Sequence, residues 1–304
     1  MSRVDVNEGR TSTPQLPRMA VVIPVRDARE LLAPCLRSIT PQLRTGDRLI
    51  VVDDGSTDGS DALAAALGAD VLRAAEPSGP YAARNTGWRA TSHDVVVFTD
   101  VRCRARPDWL ELTRAAFADA SAAMVCSDLD VAGGHTTATQ VMRHRQTFRA
   151  HHTSARHFFL PYFPTCNLAV RRSALEGVQG FTDIRSGGDA DFCWRVQLAG
   201  YGHLVAIDRV TMDWVARTNA GDLLTQWARY GRAQADLRHR FRRDGMDLRP
   251  PGIIERLEGA MRVVGSDLLR HRLPLHVAAL DGLTTWVHAH QLARHLRRRR
   301  RALS

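Results

Sequence analysis

Between residues 19 and 118, short unbroken apolar runs alternate with segments of helical period. Residues 20–25 (AVVIPV) have the length of a buried strand, and residues 28–39 carry Leu31, Leu32, Cys35, Leu36 and Ile39 at helical spacing. A strand over 49–52 precedes an Ala-rich helix over 58–67. A short strand over 70–72 precedes a helix over about 81–90, and a fully apolar strand over 95–98 precedes a helix over 108–118. Strands that are apolar at every position must be covered on both faces. The pattern therefore predicts an α/β chain with a mostly parallel sheet flanked by helices.

Beyond this stretch the pattern loosens. Residues 132–165 hold few apolar repeats, several His and Arg, and two prolines, Pro161 and Pro164. They read as a helix or loop laid over the functional side of the sheet. A strand is expected over 167–170, a helix over 189–199 and a last strand over 204–207. From Asp222 onward the chain looks helical in three pieces, broken near Pro250 and Pro251 and at Pro274. The expected organisation is a flexible leader (1–18), an α/β domain (19–215) and a helical extension with a basic tail (216–304).

Composition narrows the class. The 304 residues are 44% hydrophobic and 24% charged, as in an ordinary globular protein. The net charge of +10 suits an anionic partner, and every cation apart from histidine is Arg, which fits codon bias in a GC-rich genome. Five scattered cysteines with no CxxC pair argue against a disulfide framework or zinc site, so a cytoplasmic location is expected. The most apolar C-terminal stretch, 273–293, is interrupted by His276, Asp281, His288 and His290. A spanning helix wants about 20 uninterrupted apolar residues, so no transmembrane segment is expected.

In an open parallel sheet, ligands bind beyond the carboxyl ends of the strands. There the first strand delivers Arg26 and Asp27, the second Asp53 and Asp54, and the strand over 95–98 is followed by Asp100, Arg102 and Arg104. Carboxylates gathered at one edge repel and need a cation or hydrogen-bond donors to offset them. The segment VVDDGSTDGS (51–60) is the most specific in the chain. Gly55 permits a tight turn, and capping of the next helix accounts for Thr57 and Asp58. Capping does not account for the doubled Asp.

With Ile23-Pro24-Val25-Arg26-Asp27, VVDDGSTDGS and Gly79-Pro80-Tyr81-Ala82-Ala83-Arg84-Asn85-Thr86-Gly87, the chain resembles the family 2 glycosyltransferases of the GT-A fold. The resemblance continues in order through Phe98-Thr99-Asp100, Pro107-Asp108-Trp109-Leu110, Asn167-Leu168-Ala169-Val170-Arg171-Arg172 and Gly187-Gly188-Asp189-Ala190-Asp191-Phe192, covering about residues 19–235. It implies inverting, hexosyltransferase-type transfer of a sugar from a nucleotide diphosphate sugar, with a UDP-sugar as the expected donor, to an acceptor hydroxyl. Asp27, Asp53 and Asp54 are then expected at the nucleotide base and ribose, with Arg84, Asp100 and Arg102 as further donor contacts. Asp189 matches the catalytic base, and Asn167 and Asp191 fall on the acceptor side, although an acid in a first helical turn suits the macrodipole regardless of function. The alternative is a non-catalytic nucleotide- or sugar-binding relative of the same fold.

The chain departs from the family pattern in three places. The Asp-x-Asp metal motif reads Asp100-Val101-Arg102, the Glu of the Glu-Asp pair is Gly188, and the stretch where a His is frequent reads Thr211-Met212-Asp213-Trp214-Val215. The resemblance implies a divalent metal, Mg or Mn, with Asp100 as ligand, yet a hard cation wants several oxygen ligands. Two readings follow. Either Arg102, with Arg104, supplies the positive charge in place of the metal, or a metal binds through Asp100, Asp213, water and donor phosphates.

The segment Gln226-Trp227-Ala228-Arg229-Tyr230 partly resembles the Gln-x-x-Arg-Trp signature of processive synthases. It is expected as an amphipathic helix beside the acceptor site, in an enzyme making single additions. His144, His151, His152 and His157 read as solvated or acceptor-facing rather than as a metal cluster. The run Arg297, Arg298, Arg299, Arg300, Arg301 suits a helix C-terminus, and an anionic membrane surface is its candidate partner; no nucleic-acid platform accompanies it.

Overall fold

The computed structural model describes residues 16–74, 76–146, 148–149 and 159–301. His151, His152, His157 and most of the expected leader lie outside them. Eight strands form one sheet: β1 (Met19–Val25), β2 (Arg48–Asp53), β3 (Asp70–Arg73), β4 (Val95–Thr99), β5 (Cys103–Ala105), β6 (Ala122–Ala132), β7 (Asn167–Arg171) and β8 (His203–Val215), in the order β3-β2-β1-β4-β7-β6-β8-β5. The first four run parallel, with Val25 opposite Asp53. β7 is antiparallel to both β4 and β6, β6 and β8 pair in parallel, and β5 closes the edge antiparallel to β8. Val21, Val22 and Ile23 of β1 and Val95, Val96, Val97 and Phe98 of β4 are wholly buried, as strands covered on both faces require.

The N-terminal half follows its hydrophobic period. Helices α1 (Arg29–Ile39), α2 (Ser60–Ala66), α3 (Pro80–Arg89) and α4 (Trp109–Ala116) fall where the spacing predicts them. The second half adds what the spacing did not predict. β6 escapes because its polar residues are held by distant partners: Ser127 bonds the Thr211 hydroxyl, and Asp130 takes Arg106 at 2.8 Å. β8 runs eight residues beyond the expected 207 because it stays paired with β6 across register shifts at Asp128. Helix α5 (Thr137–His144) lies in the loosely patterned stretch, capped by Thr136 accepting from the Thr139 N–H at 3.3 Å. Helix α6 (Arg172–Gly177) follows β7, and α7 (Gly188–Leu198) precedes β8.

The C-terminal chain forms the three expected helices, α8 (Ala220–Arg240), α9 (Ile253–Leu269) and α10 (Leu275–Arg301). They pack onto the α/β layer: Leu223 of α8 and Val277 of α10 belong to the main core. A second cluster of Ala190, Trp194, Leu237, Phe241 and Met246 joins α7 to α8. Trp194 meets the Phe241 ring edge-on at 5.2 Å and donates its indole N–H to the Leu160 carbonyl at 2.7 Å. α8 and α10 touch backbone to backbone at Gly231, where a Cβ would stand 2.2 Å from the His288 carbonyl oxygen.

Candidate active site

Beyond the carboxyl ends of β1, β2 and β4 lies a cavity of about 490 Å³. Its wall includes Arg26 after β1, Asp54 after β2, Asp100 and Arg102 after β4, Tyr81 and Arg84 of α3, and Asp189 at the start of α7. Trp214 of β8, Arg217 beyond it, Arg185 and Ser186 before α7, and Gln226, Arg229 and Tyr230 of α8 also line it. Strand polarity explains the first group, because parallel strands deliver their C-terminal loops to one edge.

Of the three acids after β1 and β2, one reaches the wall. Asp54 is buried and accepts the Ser78 N–H at 2.8 Å and the Gly79 N–H at 2.9 Å, which fixes the loop entering α3. Asp53, off the wall, accepts the Ser56 N–H at 3.0 Å. Asp27 adopts φ 44° and accepts from the Thr57 N–H at 2.8 Å and the Thr57 hydroxyl at 3.2 Å, tying the loop after β1 to the loop after β2. The doubled Asp is thus a division of labour: both hold loops, and Asp54 also faces the cavity.

Arg84 is buried and donates to Asp100 at 2.5 Å and to the Pro80 carbonyl at 3.3 Å, while its Nε finds no hydrogen-bond partner among the described residues. Arg102 donates to the Val215 carbonyl at 3.2 Å; burial first, and then the neighbouring Arg217, lower its proton affinity. Arg84 and Arg102 stand on one wall with Asp100 near both, paired to Arg84 and within reach of the Arg102 charge. Arg104 is elsewhere, donating to the Val101 and Cys103 carbonyls at 2.8 Å each.

Asp189 is half-buried and accepts its own helix's Ala190 N–H at 3.0 Å and the Tyr81 hydroxyl at 3.5 Å. Burial raises its pKa, opposed by the Ala190 N–H, the Arg84 charge and the Tyr81 hydroxyl. Burial also pushes the Tyr81 hydroxyl well above its usual range, so it remains a proton donor. The absent Glu has a physical cause here. A Cβ at Gly188 would lie 2.7 Å from the Tyr81 ring, so the ring that serves Asp189 occupies the space.

Asn167 and Asp191 stand outside the cavity wall. Asn167 donates to the Ser127 carbonyl at 3.0 Å and hydroxyl at 2.7 Å and accepts the Trp109 indole N–H at 2.8 Å, bracing β7 against β6 and α4. Asp191 is wholly buried, accepts from Thr182 at 2.7 Å and Arg195 at 2.9 Å, and lies 3.1 Å from Arg240 of α8. It locks α7 to α8. Sequence reasoning passed over Tyr81, Trp214 and Arg217. Tyr81 was within reach of it, three residues before Arg84 and on the same helical face.

The side chains present do not fit a divalent ion held by protein carboxylates. Asp100 is engaged by Arg84, and Asp213 points to Arg106, with contacts of 2.6 and 3.2 Å. Among the described residues, the group with metal-ligand spacing is His144, Asp267 and Asp281, none of which lines the cavity. There His144 sits 2.9 Å from Asp267, and Arg145 holds Asp281.

A mixed sheet with an acidic and arginine-rich cavity beyond its parallel half defines the class of the GT-A fold. The family model "Glycosyl transferase family 2" matches residues 20–178, and the chain belongs to that family. It is 35% identical over 215 residues to the pre-mycofactocin glycosyltransferase of Mycobacterium tuberculosis, covering 66% of this chain and 45% of that protein. It is also 30% identical over 232 residues to glycosyltransferase AglE of Haloferax volcanii, covering 73% of this chain and 74% of that protein. The chain thus spans about half the length of the mycobacterial relative. In fold it is similar to a mannosyltransferase of Pyrobaculum calidifontis solved with GDP-Man and Mn2+ (TM-score 0.57, 20% identity, 88% of this chain and 74% of that one). It is similar too to glucosyl-3-phosphoglycerate synthase of Mycobacterium tuberculosis solved with Mn2+, UDP and glucosyl-3-phosphoglycerate (TM-score 0.55, 20% identity, 76% of this chain and 81% of that one).

Proposed function

We propose that the protein is an inverting glycosyltransferase that moves a sugar from a nucleotide diphosphate sugar, a UDP-sugar in our reading, to an acceptor hydroxyl in single additions. The observation that carries this is the sharing of one cavity by Asp189, on the start of α7, and the Asp54, Arg84, Asp100 and Arg102 edge of the sheet. The acceptor hydroxyl gives its proton to the Asp189 carboxylate as its oxygen attacks the anomeric carbon. The carbon–oxygen bond to the diphosphate breaks on the opposite face, and the nucleoside diphosphate departs with that electron pair. A carboxylate whose pKa burial has raised is a stronger base than an ordinary Asp. Arg102, Arg84 and Arg217 take up charge developing on the diphosphate, a role guanidinium groups fill by paired hydrogen bonds. Asp54 meets the nucleoside, and Asp27 and Asp53 hold the loops that present it.

The test is release of nucleoside diphosphate from a panel of nucleotide sugars. Asp189→Asn is expected to lose transfer by about 10²-fold or more while nucleotide binding stays within about twofold. Transfer at the wild-type rate in that variant would overturn the base assignment, and nucleotide binding without turnover in the wild type would favour a binding protein. After exhaustive chelation transfer is expected to persist; complete loss, restored by Mn2+, would overturn the arginine reading.

The same protein is proposed to work in the cytoplasm, touching an anionic bilayer through Arg297, Arg298, Arg299, Arg300 and Arg301. No described helix is long and apolar enough to cross a membrane. Two features support a surface contact. Ile253, Leu257 and Met261, four residues apart on α9, are each at least half exposed, as is Ile254. Arg256 on that helix meets His290 of α10 at 3.2 Å, which sets the apolar stripe beside the helix that carries the arginines.

A further inference from the structure

A second hollow of about 410 Å³ adjoins the cavity, and Arg185, Ser186 and Arg229 line both. Its other walls come from α8, with Arg232, Asp236 and Arg240, and from His295 of α10. Four guanidinium groups therefore face one small volume. Asp236, the acid on its wall, is 2.7 Å from Arg299, and Arg240 is held in place by Asp191 at 3.1 Å. Arg185, Arg229 and Arg232 make no ion pair with a carboxylate among the described residues. Like charges gathered at such a place repel, and an oxyanion offsets that repulsion better than water does.

We propose that this hollow is the acceptor subsite and that the acceptor carries an oxyanion, a phosphate or phosphodiester, next to the hydroxyl that receives the sugar. The inference rests on the glycosyl-transfer reading only for the word acceptor; the anion site stands on the arginines. The two hollows share the wall residues Arg185, Ser186 and Arg229. Ser186 lies three residues before Asp189 and lines both hollows, so an acceptor whose anion sits among Arg229, Arg232 and Arg240 has the Asp189 cavity as its neighbour. Arg229 is shared between the hollows and Arg232 is not, which makes Arg232 the clean probe.

The experiment uses the full chain with UDP at saturating concentration, titrated with inorganic phosphate by calorimetry. Phosphate is expected to bind beside UDP, and Arg232→Ala to weaken it about tenfold, the worth of one charge-assisted hydrogen bond. Arg232→Glu is expected to abolish it and Arg232→Lys to retain most of it, which excludes simple misfolding. UDP affinity, measured separately, is expected to shift less than about twofold. Phosphate binding unchanged in Arg232→Ala and Arg232→Glu, or phosphate displacing UDP one for one, overturns the proposal. If wild-type protein binds phosphate but not UDP, the glycosyl-transfer reading fails while the anion site survives. Two further arms identify the source of the anion: glycerol 3-phosphate against glycerol for a soluble acceptor, and phosphatidic acid against phosphatidylcholine vesicles for a lipid one. Preference for the phosphorylated member in either arm, lost in Arg232→Glu, supports the proposal; equal binding of both members in both arms overturns it.

Discussion

At the residue scale, the site turns on the trio of Tyr81, Gly188 and Asp189. The Tyr81 hydroxyl stabilises the charged form of Asp189, so its removal must raise that carboxyl's pKa further. Tyr81→Phe is therefore expected to move the acidic limb of the kcat/KM profile to higher pH, readable by rate measurement from pH 4 to 8. An unmoved limb would mean that Asp189 does not set it. Gly188→Glu, which restores the family's usual acid, is expected to destabilise the fold by about 1–3 kcal/mol in denaturant unfolding, because the new side chain meets the Tyr81 ring. Asp189, which lines the cavity, stands out in a local run of six residues. Its partner does not, because 108 residues separate it from Tyr81.

At the scale of elements, α7, α8 and α10 depend on buried polar contacts that behave differently with pH. His288, packed against α8 beside Trp227, has its pKa pulled down to about 4 by burial and by the charges of Arg145 and Arg238. The unfolded chain therefore binds this proton first on acidification. Stability from this group is complete above about pH 6.5 and is lost as pH falls toward 4, by up to about 3 kcal/mol. His288→Gln is expected to flatten that part of the difference curve in unfolding measured between pH 7 and 4. Asp191→Ala leaves Arg195 and Arg240 without their shared acid, and about 3 kcal/mol of stability should go with it in denaturant unfolding. The parallel strands β1 to β4 were legible because each carries an apolar run of its own. β6 was not, because its polar residues Ser127, Asp128 and Asp130 are satisfied by the distant side chains of Thr211, Arg149 and Arg106.

At the scale of the whole molecule, charge and apolar exposure meet on the C-terminal helices. Sedimentation with phosphatidylglycerol vesicles is expected to pull down the chain and to weaken with salt, at roughly 1 kcal/mol per arginine engaged. A chain lacking residues 296–304 should lose most of that binding, and equal binding to phosphatidylcholine vesicles would refute the electrostatic contact. The amino-acid order by itself determined the α/β class, the loop acids at one sheet edge, and the absence of a second metal-ligating carboxylate at Arg102. Each of these is written in neighbouring residues, through period, strand polarity or side-chain chemistry. Only the tertiary structure decided that Asn167 and Asp191 brace the framework, that Tyr81 fills the place of a missing acid, and that α8 returns to set Arg229 on the cavity wall with Asp189 and Arg232 in the adjoining hollow. Those outcomes depend on which distant surfaces pack together, and packing is a property of the assembled core that no local window of residues contains.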